Sequence, residues 1–408
     1  MAYLIIPDYP GQQVISGIRA LSREGDTCEL AWKITSLDKI FKSKHISQYH
    51  QIPPASTDPN AYINELVELC KNHNYDGLIP FGNYAYYAIV NFADHLKELV
   101  RFLVPSKKAF QIAHDKSKTI QFCKKIGIHV PYTYTDFERD DLATIAKEVK
   151  FPIVIKARSG TGVKMGLRYA NTAQELFEKF DEITSFESKS LAESYRSPLI
   201  QEFIPGYIHD VCSVSFKGKV LNILTQVRQL MYPITGGVGA INYTTHNDDL
   251  IKTSRMLLEA LDWNGPTQIE YKYDPRDGKY KLIEINPKLW GTLDLSIKTG
   301  MNFPGMIRDI LLDKKVAKNT YPTGVRYIFH YSQASYARWQ LVREFGLGAL
   351  KSQKKFMKTY HDFDYKDMLP DIYRMLTSLL GAIVGIINFN TANLPSQYIN
   401  TPSDRSSL

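Results

Sequence analysis

The sequence has little cysteine and no cysteine pattern. Only four cysteines occur among 408 residues, and no two of them are spaced as a CxxC pair. The ten histidines are scattered without the spacing that zinc ligands show. The sequence therefore predicts neither a disulfide framework nor a zinc site, and a reducing cytoplasm is the expected location of the protein.

Long apolar runs are also missing. No segment reaches the roughly 20 apolar residues that a membrane-spanning helix needs, and the apolar run at the N-terminus is too short for a signal peptide. The apolar stretch 375–389 is too short to span a bilayer and too apolar for an exposed helix. We expect it to pack against its own domain or against a second subunit of a homo-oligomer.

Acidic residues are scarce near the C-terminus. Between Lys314 and Lys358 the sequence has ten Lys or Arg residues and a single acid, Glu344. Such a region can attract nucleic acid, anionic lipid or phosphorylated molecules. No RNA-binding or helix-turn-helix pattern accompanies it, so nucleic acid is not expected as a partner. A solvated helical face is the favoured interpretation, and peripheral contact with the inner face of a membrane is the alternative.

The N-terminal part alternates short apolar strands with helices. The predicted elements are strands at Tyr3 to Ile6, Cys28 to Trp32 and Gly77 to Pro80, with a helix from Val14 to Arg23. This alternation predicts a parallel sheet, whose ligands lie beyond the carboxyl ends of its strands. The loops after Ile6 and Pro80 are therefore candidate substrate loops. Further along, Phe110 to Val130 has a helical pattern that ends at Gly127 in the expected C-cap place.

The glycine-rich segment near residue 160 matches neither a P-loop nor a GxGxxG motif. Residues 151–156 form a predicted strand that ends in Lys156, and the loop after it carries Gly160, Gly162 and Gly166. A second strand follows, so the glycines form a lid between two strands. Backbone N–H groups of such a lid can bind triphosphate oxygens while Lys156 neutralises their charge. A mobile glycine hairpin without a ligand is the alternative.

The segment 268–290 carries a candidate metal site. Asp274 to Gly278 has turn chemistry and separates two runs rich in β-branched and aromatic residues. Glu284 and Asn286 share one face of a strand. A hairpin that closes near Arg276 places Glu270 roughly across from Glu284 or one pair away on that face, unless a bulge shifts the register. Two carboxylates and an amide favour a hard cation, which predicts Mg²⁺. An exposed hairpin with solvated acids is the alternative.

Several short motifs follow one another in a fixed order. They are Asp115-Lys116 before a helix, the strand that ends in Lys156, the loop Ser159 to Gly166, the segment Gln201-Glu202-Phe203-Ile204-Pro205-Gly206, Glu270, and the pair Glu284 and Asn286. In this order they resemble the ATP-grasp superfamily of carboxylate–amine ligases, over roughly residues 106–312. The whole set resembles the carbamoyl-phosphate-synthase-like or amino-acid ligase subgroup. The segment from Arg228 to Gly237 is similar to one in amino-acid-type ligases.

The resemblance implies a set of binding residues. The nucleotide would be bound by Lys116 and Lys156, by the loop with Ser159, Gly160 and Gly162, by the adenine hinge of Gln201, Glu202, Phe203 and Ile204, and by Asp210 at the ribose. Mg²⁺, with Mn²⁺ as an alternative, would be held by Glu270, Glu284 and Asn286. The resemblance places Arg228, Lys288 and Asn286 at the reacting groups. Lys288 stands where the subgroup usually has arginine, and a lysine lacks bidentate geometry toward carboxylate or phosphate.

The resemblance also implies the fold, an α/β and α+β protein in four parts. We expect a parallel, Rossmann-like α/β domain at 1–105, a first ATP-grasp lobe with the glycine-rich lid at 106–195, a second lobe with the hinge and the metal hairpin at 196–320, and a helical, basic and apolar extension with a disordered end at 321–408.

The activity that the resemblance implies is a ligation that consumes ATP. A small carboxylate would be activated as an acyl phosphate, and an amine would capture it to form an amide or peptide-type bond. One alternative is a bicarbonate-activating, carboxylase-like enzyme, which is disfavoured because the chain has no Met-Lys-Met biotin-carrier motif. Another is a non-catalytic nucleotide-binding protein docked at a membrane, which is disfavoured because the metal ligands are intact.

Overall fold

The structure is a computed structural model that describes residues 1–159, 166–185, 196–329, 333–350 and 355–385. Its strands are β1 (Tyr3–Ile6), β2 (Thr27–Ala31), β3 (Ile46–His50), β4 (Gly77–Leu78), β5 (Thr133–Tyr134), β6 (Ile153–Lys156), β7 (Leu167–Ala170), β8 (Leu199–Glu202), β9 (Ile208–Phe216), β10 (Lys219–Tyr232), β11 (Val238–Thr245), β12 (Gly265–Asp274), β13 (Lys279–Asn286), β14 (Val325–Ile328) and β15 (Lys358–His361). Its helices are α1 (Gln12–Arg23), α2 (Ser36–Ile40), α3 (Pro59–Asn72), α4 (Asn83–Asn91), α5 (Ala93–Leu96), α6 (Lys107–His114), α7 (Lys116–Lys125), α8 (Leu142–Glu148), α9 (Ala173–Thr184), α10 (Asp248–Ala260), α11 (Leu293–Lys298), α12 (Phe303–Leu311), α13 (Gln333–Phe345) and α14 (Leu369–Gly385).

The first four strands form a parallel sheet in the order β3-β2-β1-β4. Strand β1 is apolar on both faces, because Leu4 and Ile6 lie in one core cluster with residues of α1 while Ile5 lies in another with residues of α3. A strand covered by helices on both faces has no solvated side, which explains its continuously apolar sequence. The predicted parallel sheet is confirmed.

Two further sheets follow in the chain, one antiparallel and one mixed. One has the order β5-β8-β6-β7, and its apolar face packs against α8 and α9. The other has seven strands in the order β13-β12-β9-β10-β11-β14-β15. Helices α6, α7 and α10 contribute to the core cluster on one of its faces. The predicted α/β and α+β fold class is confirmed by this arrangement.

The predicted single helix from Phe110 to Val130 is wrong, because the structure has two helices, α6 and α7, that meet at Asp115. Asp115 has an extended backbone, and its side chain accepts hydrogen bonds from the N–H groups of Ser117 and Lys118. Such an N-cap starts a new helix. Gly127 follows α7 with a φ of +77°, the left-handed conformation that glycine adopts without strain.

The C-terminal region contains helices, as predicted, and also two strands that the sequence analysis does not predict. Strand β14 pairs antiparallel with β11, and β15 pairs parallel with β14, so this region extends the seven-stranded sheet. Val325 and Tyr327 of β14 are buried in a cluster with Leu295 of α11. The predicted disordered end lies outside the described residues.

Buried ion pairs between side chains also attach the C-terminal region to α1. The guanidinium of Arg19 lies between Asp367 and Asp371, with an Nε–Oδ2 distance of 2.8 Å to the former and an NH2–Oδ2 distance of 3.3 Å to the latter. Asp367 also accepts from the hydroxyl of Ser43 and from the N–H of Lys44. All three charged side chains are buried. Arg374 also pairs with Asp371 at 3.0 Å, so the loss of Arg19 removes the cationic partner of Asp367 above all.

We expect Arg19→Met to loosen this attachment. Removing the guanidinium leaves Asp367 and Asp371 buried without their shared cation, so amide hydrogen exchange in residues 355–374 should accelerate at least about tenfold. Arg23→Met is the matched control, because Arg23 pairs with Asp364 at a more exposed position, and its effect should be much smaller. Equal exchange rates in the two variants would contradict the assignment.

No helix within the described residues is both long and apolar enough to cross a bilayer. The predicted contact of the C-terminal region with a membrane surface is a separate question, and it stays a prediction. The predicted homo-oligomer likewise stays a prediction.

Candidate active site

The metal hairpin is formed by β12 and β13, and its acidic residues converge. Glu270 pairs directly with Glu284, and Gln268 pairs with Asn286. The amide Nδ2 of Asn286 lies 3.1 Å from Oε1 of Glu270 and 3.1 Å from Oε1 of Glu284. Three oxygen-bearing side chains thus face one point. A donor set of two carboxylates and one amide fits a hard cation such as Mg²⁺.

Two lysines supply positive charge beside this hairpin. Lys116 Nζ lies 3.5 Å from Oε2 of Glu284. Burial alone would raise the pKa of Glu284, but the charges of Lys116 and Lys156 outweigh it and lower that pKa to about 2. Glu284 is therefore ionised at neutral pH. Burial lowers the pKa of Lys156 to about 8, and its Nζ donates to Oε1 of Gln201 at 2.8 Å.

Arg228 is enclosed by acids and does not project freely into the site. Its Nε and NH2 donate to the two carboxylate oxygens of Asp210 at 3.1 and 2.7 Å, and NH2 also contacts Glu270. Its NH1 donates to the carbonyl of Gly237 at 3.0 Å. Both Arg228 and Asp210 are buried. In this arrangement the guanidinium orients Glu270 and neutralises the acids around it.

The structure does not support Asp210 as a ribose ligand. Its carboxylate is fully buried and already accepts from Arg228 and from Nε2 of Gln226. Asp210 lies on β9 directly opposite Glu270 of β12, so it belongs to the layer beneath the metal hairpin. A sequence cannot reveal this, because the pairing of β9 with β12 decides which acid meets Arg228.

Residues outside the cavity hold the predicted adenine hinge through hydrogen bonds and ion pairs. The Glu202 N–H donates to the Tyr132 carbonyl at 2.9 Å, and the Glu202 side chain accepts from the Tyr132 N–H at 2.9 Å. Lys281 and Arg276 each approach the Glu202 carboxylate to 3.0 Å. The hinge residues Phe203 and Ile204 follow directly and are buried.

Lys272 also lies at this hinge, although it was not among the predicted site residues. Its Nζ donates to the carbonyl oxygen of Ile204 at 2.7 Å and lies 5.0 Å from the centroid of the Phe203 ring. Burial lowers the pKa of Lys272 to about 7, and the charge of Lys156 acts in the same direction. Lys272 could have been identified from the alternation of side chains along β12, because it lies on the same strand face as Glu270.

One cavity of about 460 Å³ connects these groups. Every predicted site residue that the structure describes lines it, with the exception of Asp210. Gly160 and Gly162, predicted for the lid, lie outside the described residues. Ser159 lies at the start of that loop and forms a β-bridge with Asp115, which places Ser159 beside the first turn of α7.

The N-terminal part of the chain supplies some of the cavity lining. Gln12 and Gln13 at the start of α1, and Asn83 at the start of α4, line the cavity together with Lys288. Burial lowers the pKa of Lys288, although the charges of nearby acids oppose this shift. The two glutamines and the asparagine lie in the first turns of the helices that follow β1 and β4, which are neighbouring parallel strands. Their carboxyl ends therefore meet at one edge, as the candidate substrate loops require.

The structure also brings together Glu29, His50 and His73 in the N-terminal sheet. His50 Nε2 lies 2.6 Å from Oε2 of Glu29, and the hydroxyls of Tyr3 and Tyr75 donate to Glu29 at 2.7 and 2.6 Å. Both Glu29 oxygens are thus hydrogen-bonded within the protein.

Two family models match the part of the chain that supplies most of the cavity lining. Residues 115–214 match the family described as carbamoyl-phosphate synthase L chain, ATP binding domain. Residues 195–333 match the family described as ATP-grasp in the biosynthetic pathway with Ter operon. The chain belongs to the ATP-grasp superfamily. Enzymes of this superfamily generally use ATP and Mg²⁺.

Individual relatives agree with this assignment of the ATP-grasp chain. It is 25% identical to the D-aspartate ligase of Enterococcus faecium, over 67% of this chain and 68% of that protein. The L-amino acid ligase of Bacillus licheniformis has a TM-score of 0.57 at 16% identity, covering 76% of this chain and 74% of that one. Biotin carboxylase from Campylobacter jejuni has a TM-score of 0.65 at 15% identity, covering 80% and 74%. The chain spans about a quarter or less of the carbamoyl phosphate synthase large chains it matches.

Proposed function

We propose that this ATP-grasp protein is an ATP- and Mg²⁺-dependent ligase that joins a small carboxylate to an amine. A carboxylate oxygen attacks the γ-phosphorus of ATP, the bond to the β,γ-bridging oxygen breaks, and ADP leaves. The amine nitrogen then attacks the acyl carbon, inorganic phosphate departs with its bridging oxygen, and the amine loses a proton. The observation that carries the proposal is the convergence of Glu270, Glu284 and Asn286 beside two lysines in one cavity.

The metal hairpin would bind the cation of the nucleotide through Glu270, Glu284 and the side-chain oxygen of Asn286. The bound Mg²⁺, for which Mn²⁺ is an alternative, supplies a positive centre for the phosphate oxygens. Lys116 and Lys156 add charge that stabilises the transferred phosphoryl group. Arg228 holds Glu270 in place from beneath, and it orients a ligand of the cation.

The substrate carboxylate would bind beside Lys288, whose ammonium also lies close enough to Glu270 and Glu284 to interact with their charges. Gln12 and Gln13 of α1 and Asn83 of α4 line the same cavity. An ammonium group and amide side chains in one cavity suit a small polar anion that also carries hydrogen-bonding groups. This agrees with relatives that are named for D-aspartate and for L-amino acids.

The direct test is an ADP-release screen with small carboxylates and amines supplied in pairs. The proposal expects ADP to appear only when both partners are present, with a product mass equal to their sum minus water. ADP release that needs bicarbonate and no amine would instead favour the carboxylase-like alternative. Tight ATP binding without release for any pair would favour a non-catalytic nucleotide-binding protein.

Lys288 offers a test of the substrate end. Lys288→Met should raise the KM for the carboxylate about tenfold or more, because it removes a cation with charge-assisted hydrogen bonds, while the KM for ATP changes little. Lys288→Arg is the matched variant, and it should recover part of the loss since it keeps the charge. Steady-state kinetics with the carboxylate and ATP varied in turn separates the two constants. An equal rise in both would contradict this placement of the substrate.

A further inference from the structure

Lys272 differs from two nearby lysines, Lys116 and Lys281, in the partners of its amine. Lys281, on the opposite strand of the same hairpin, lies 3.0 Å from Glu202 and 2.7 Å from Asp274. Lys116 lies within ion-pair distance of Glu284. Among the residues that the structure describes, no carboxylate lies within 4.0 Å of the Lys272 amine, whose hydrogen bond goes to the backbone carbonyl of Ile204.

Lys272 lies among apolar side chains of the cavity wall, with the charge of Lys156 nearby. It lines the cavity together with Val154, Tyr169, Phe203 and Ile208, and its Nζ lies beside the Phe203 ring. Placing an amine here costs desolvation energy that an aliphatic side chain would avoid. A lysine amine carries at least two N–H donors in either protonation state, and one of them is used by Ile204. A further donor therefore remains for a molecule in the cavity.

The position of Lys272 along β12 indicates which part of the nucleotide its amine would contact. Lys272 is two residues beyond Glu270, on the same strand face and nearer to the hinge that it contacts through Ile204. Glu270 belongs to the cation and phosphate end of the cavity. Beside Phe203 the cavity is lined by the apolar side chains of Val154 and Tyr169, which suit a purine ring.

We propose that Lys272 reads the nucleotide base, by donating a hydrogen bond to one acceptor nitrogen of the purine ring. This inference rests on the proposed function insofar as it assumes that the cavity binds ATP. It adds a specificity residue on β12 to the hinge, so that the base is recognised by a side chain as well as by the backbone. A ring that lacks the acceptor leaves a buried donor unpaired, which weakens binding.

The test compares ATP with its 1-deaza, 3-deaza and 7-deaza analogues, each of which replaces one ring nitrogen by C–H. Dissociation constants are measured by titration calorimetry on the full chain with Mg²⁺, for the wild type and for Lys272→Met. One analogue should bind the wild type about tenfold or more weakly than ATP. Lys272→Met should weaken ATP by a similar factor and should no longer distinguish ATP from that analogue.

Lys281→Met is the matched control on the same hairpin. It loosens Glu202 and thus the hinge as a whole, so it should weaken all four nucleotides by one common factor and keep their order. Thermal unfolding checks the fold of both variants. Lys272→Met should be at least as stable as the wild type, since it replaces a buried amine by an apolar side chain of similar length.

Two results would overturn the inference while leaving the proposed function intact. The first is unchanged ATP affinity in Lys272→Met. The second is an equal loss for ATP and all three analogues, because it would assign the amine to ribose or phosphate. If the wild type binds none of the four nucleotides, the proposed function fails and the inference fails with it.

Discussion

Glu284→Gln lowers the rate of ADP release by about a hundredfold or more, while the protein still unfolds cooperatively. The substitution keeps the shape of the side chain but removes the carboxylate that faces Lys116 and Asn286. An amide carries no net charge to hold the cation or to balance Lys116, so the phosphoryl group loses its positioned positive centre. The measurement is steady-state ADP release at saturating ATP and Mg²⁺, with circular dichroism during thermal unfolding as the check on folding.

Asp277→Asn is the control for this effect. Asp277 lies at the exposed turn of the same hairpin and caps the N–H of Lys279, so the same carboxylate-to-amide change is made away from the cavity. Its rate of ADP release should stay within about twofold of wild type, as for a surface substitution. Wild-type-like release by Glu284→Gln would exclude Glu284 from the metal site.

Arg228→Met is expected to lower the free energy of unfolding by about 3 to 5 kcal/mol. Arg228 is buried and pairs with both Asp210 and Glu270, so its removal leaves two buried acids without their shared cation. Chemical denaturation monitored by tryptophan fluorescence measures the loss. Activity should fall as well, because Glu270 is then no longer oriented toward Asn286.

The double variant Arg228→Met with Asp210→Asn separates this ion pairing from simple loss of packing. Neutralising Asp210 removes part of the uncompensated charge, so the double variant should be more stable than the sum of the single losses predicts. Arg139→Met is the surface control, since Arg139 forms an exposed pair with Asp181 and should change stability little. Strict additivity of the two buried substitutions would contradict the pairing.

The hairpin with the acids could be predicted closely from the sequence. Residues two apart on a strand share a face, and the turn at Asp274 to Gly278 joins the two strands. A bulge between Glu270 and Tyr271 then shifts the register, and this shift brings Glu270 opposite Glu284. The strands on both sides of the glycine-rich loop were predictable for the same reason. Each of these features depends on short-range geometry of the backbone.

The apolar pattern of residues 110–130 does not predict the helix break at Asp115, although the motif Asp115-Lys116 was expected to precede a helix and the signal is local. Aspartate is a good N-cap, and Ser117 and Lys118 supply the N–H groups that it accepts. The apolar periodicity continues across this break, so the pattern alone indicates one helix. Here the hydrogen-bonding preference of one side chain outweighs the hydrophobic period.

The sequence by itself determined the fold class and the acids and amide of the proposed cation site, because periodicity, turn residues and motif order act over short distances along the chain. Only the tertiary structure decided the partners of these groups. It placed Asp210 beneath Arg228 instead of at a ribose, set Lys272 against the hinge, and brought Asn83 to the same cavity as Lys288. These contacts depend on which strands and loops become neighbours, and that choice is made by packing of the whole chain.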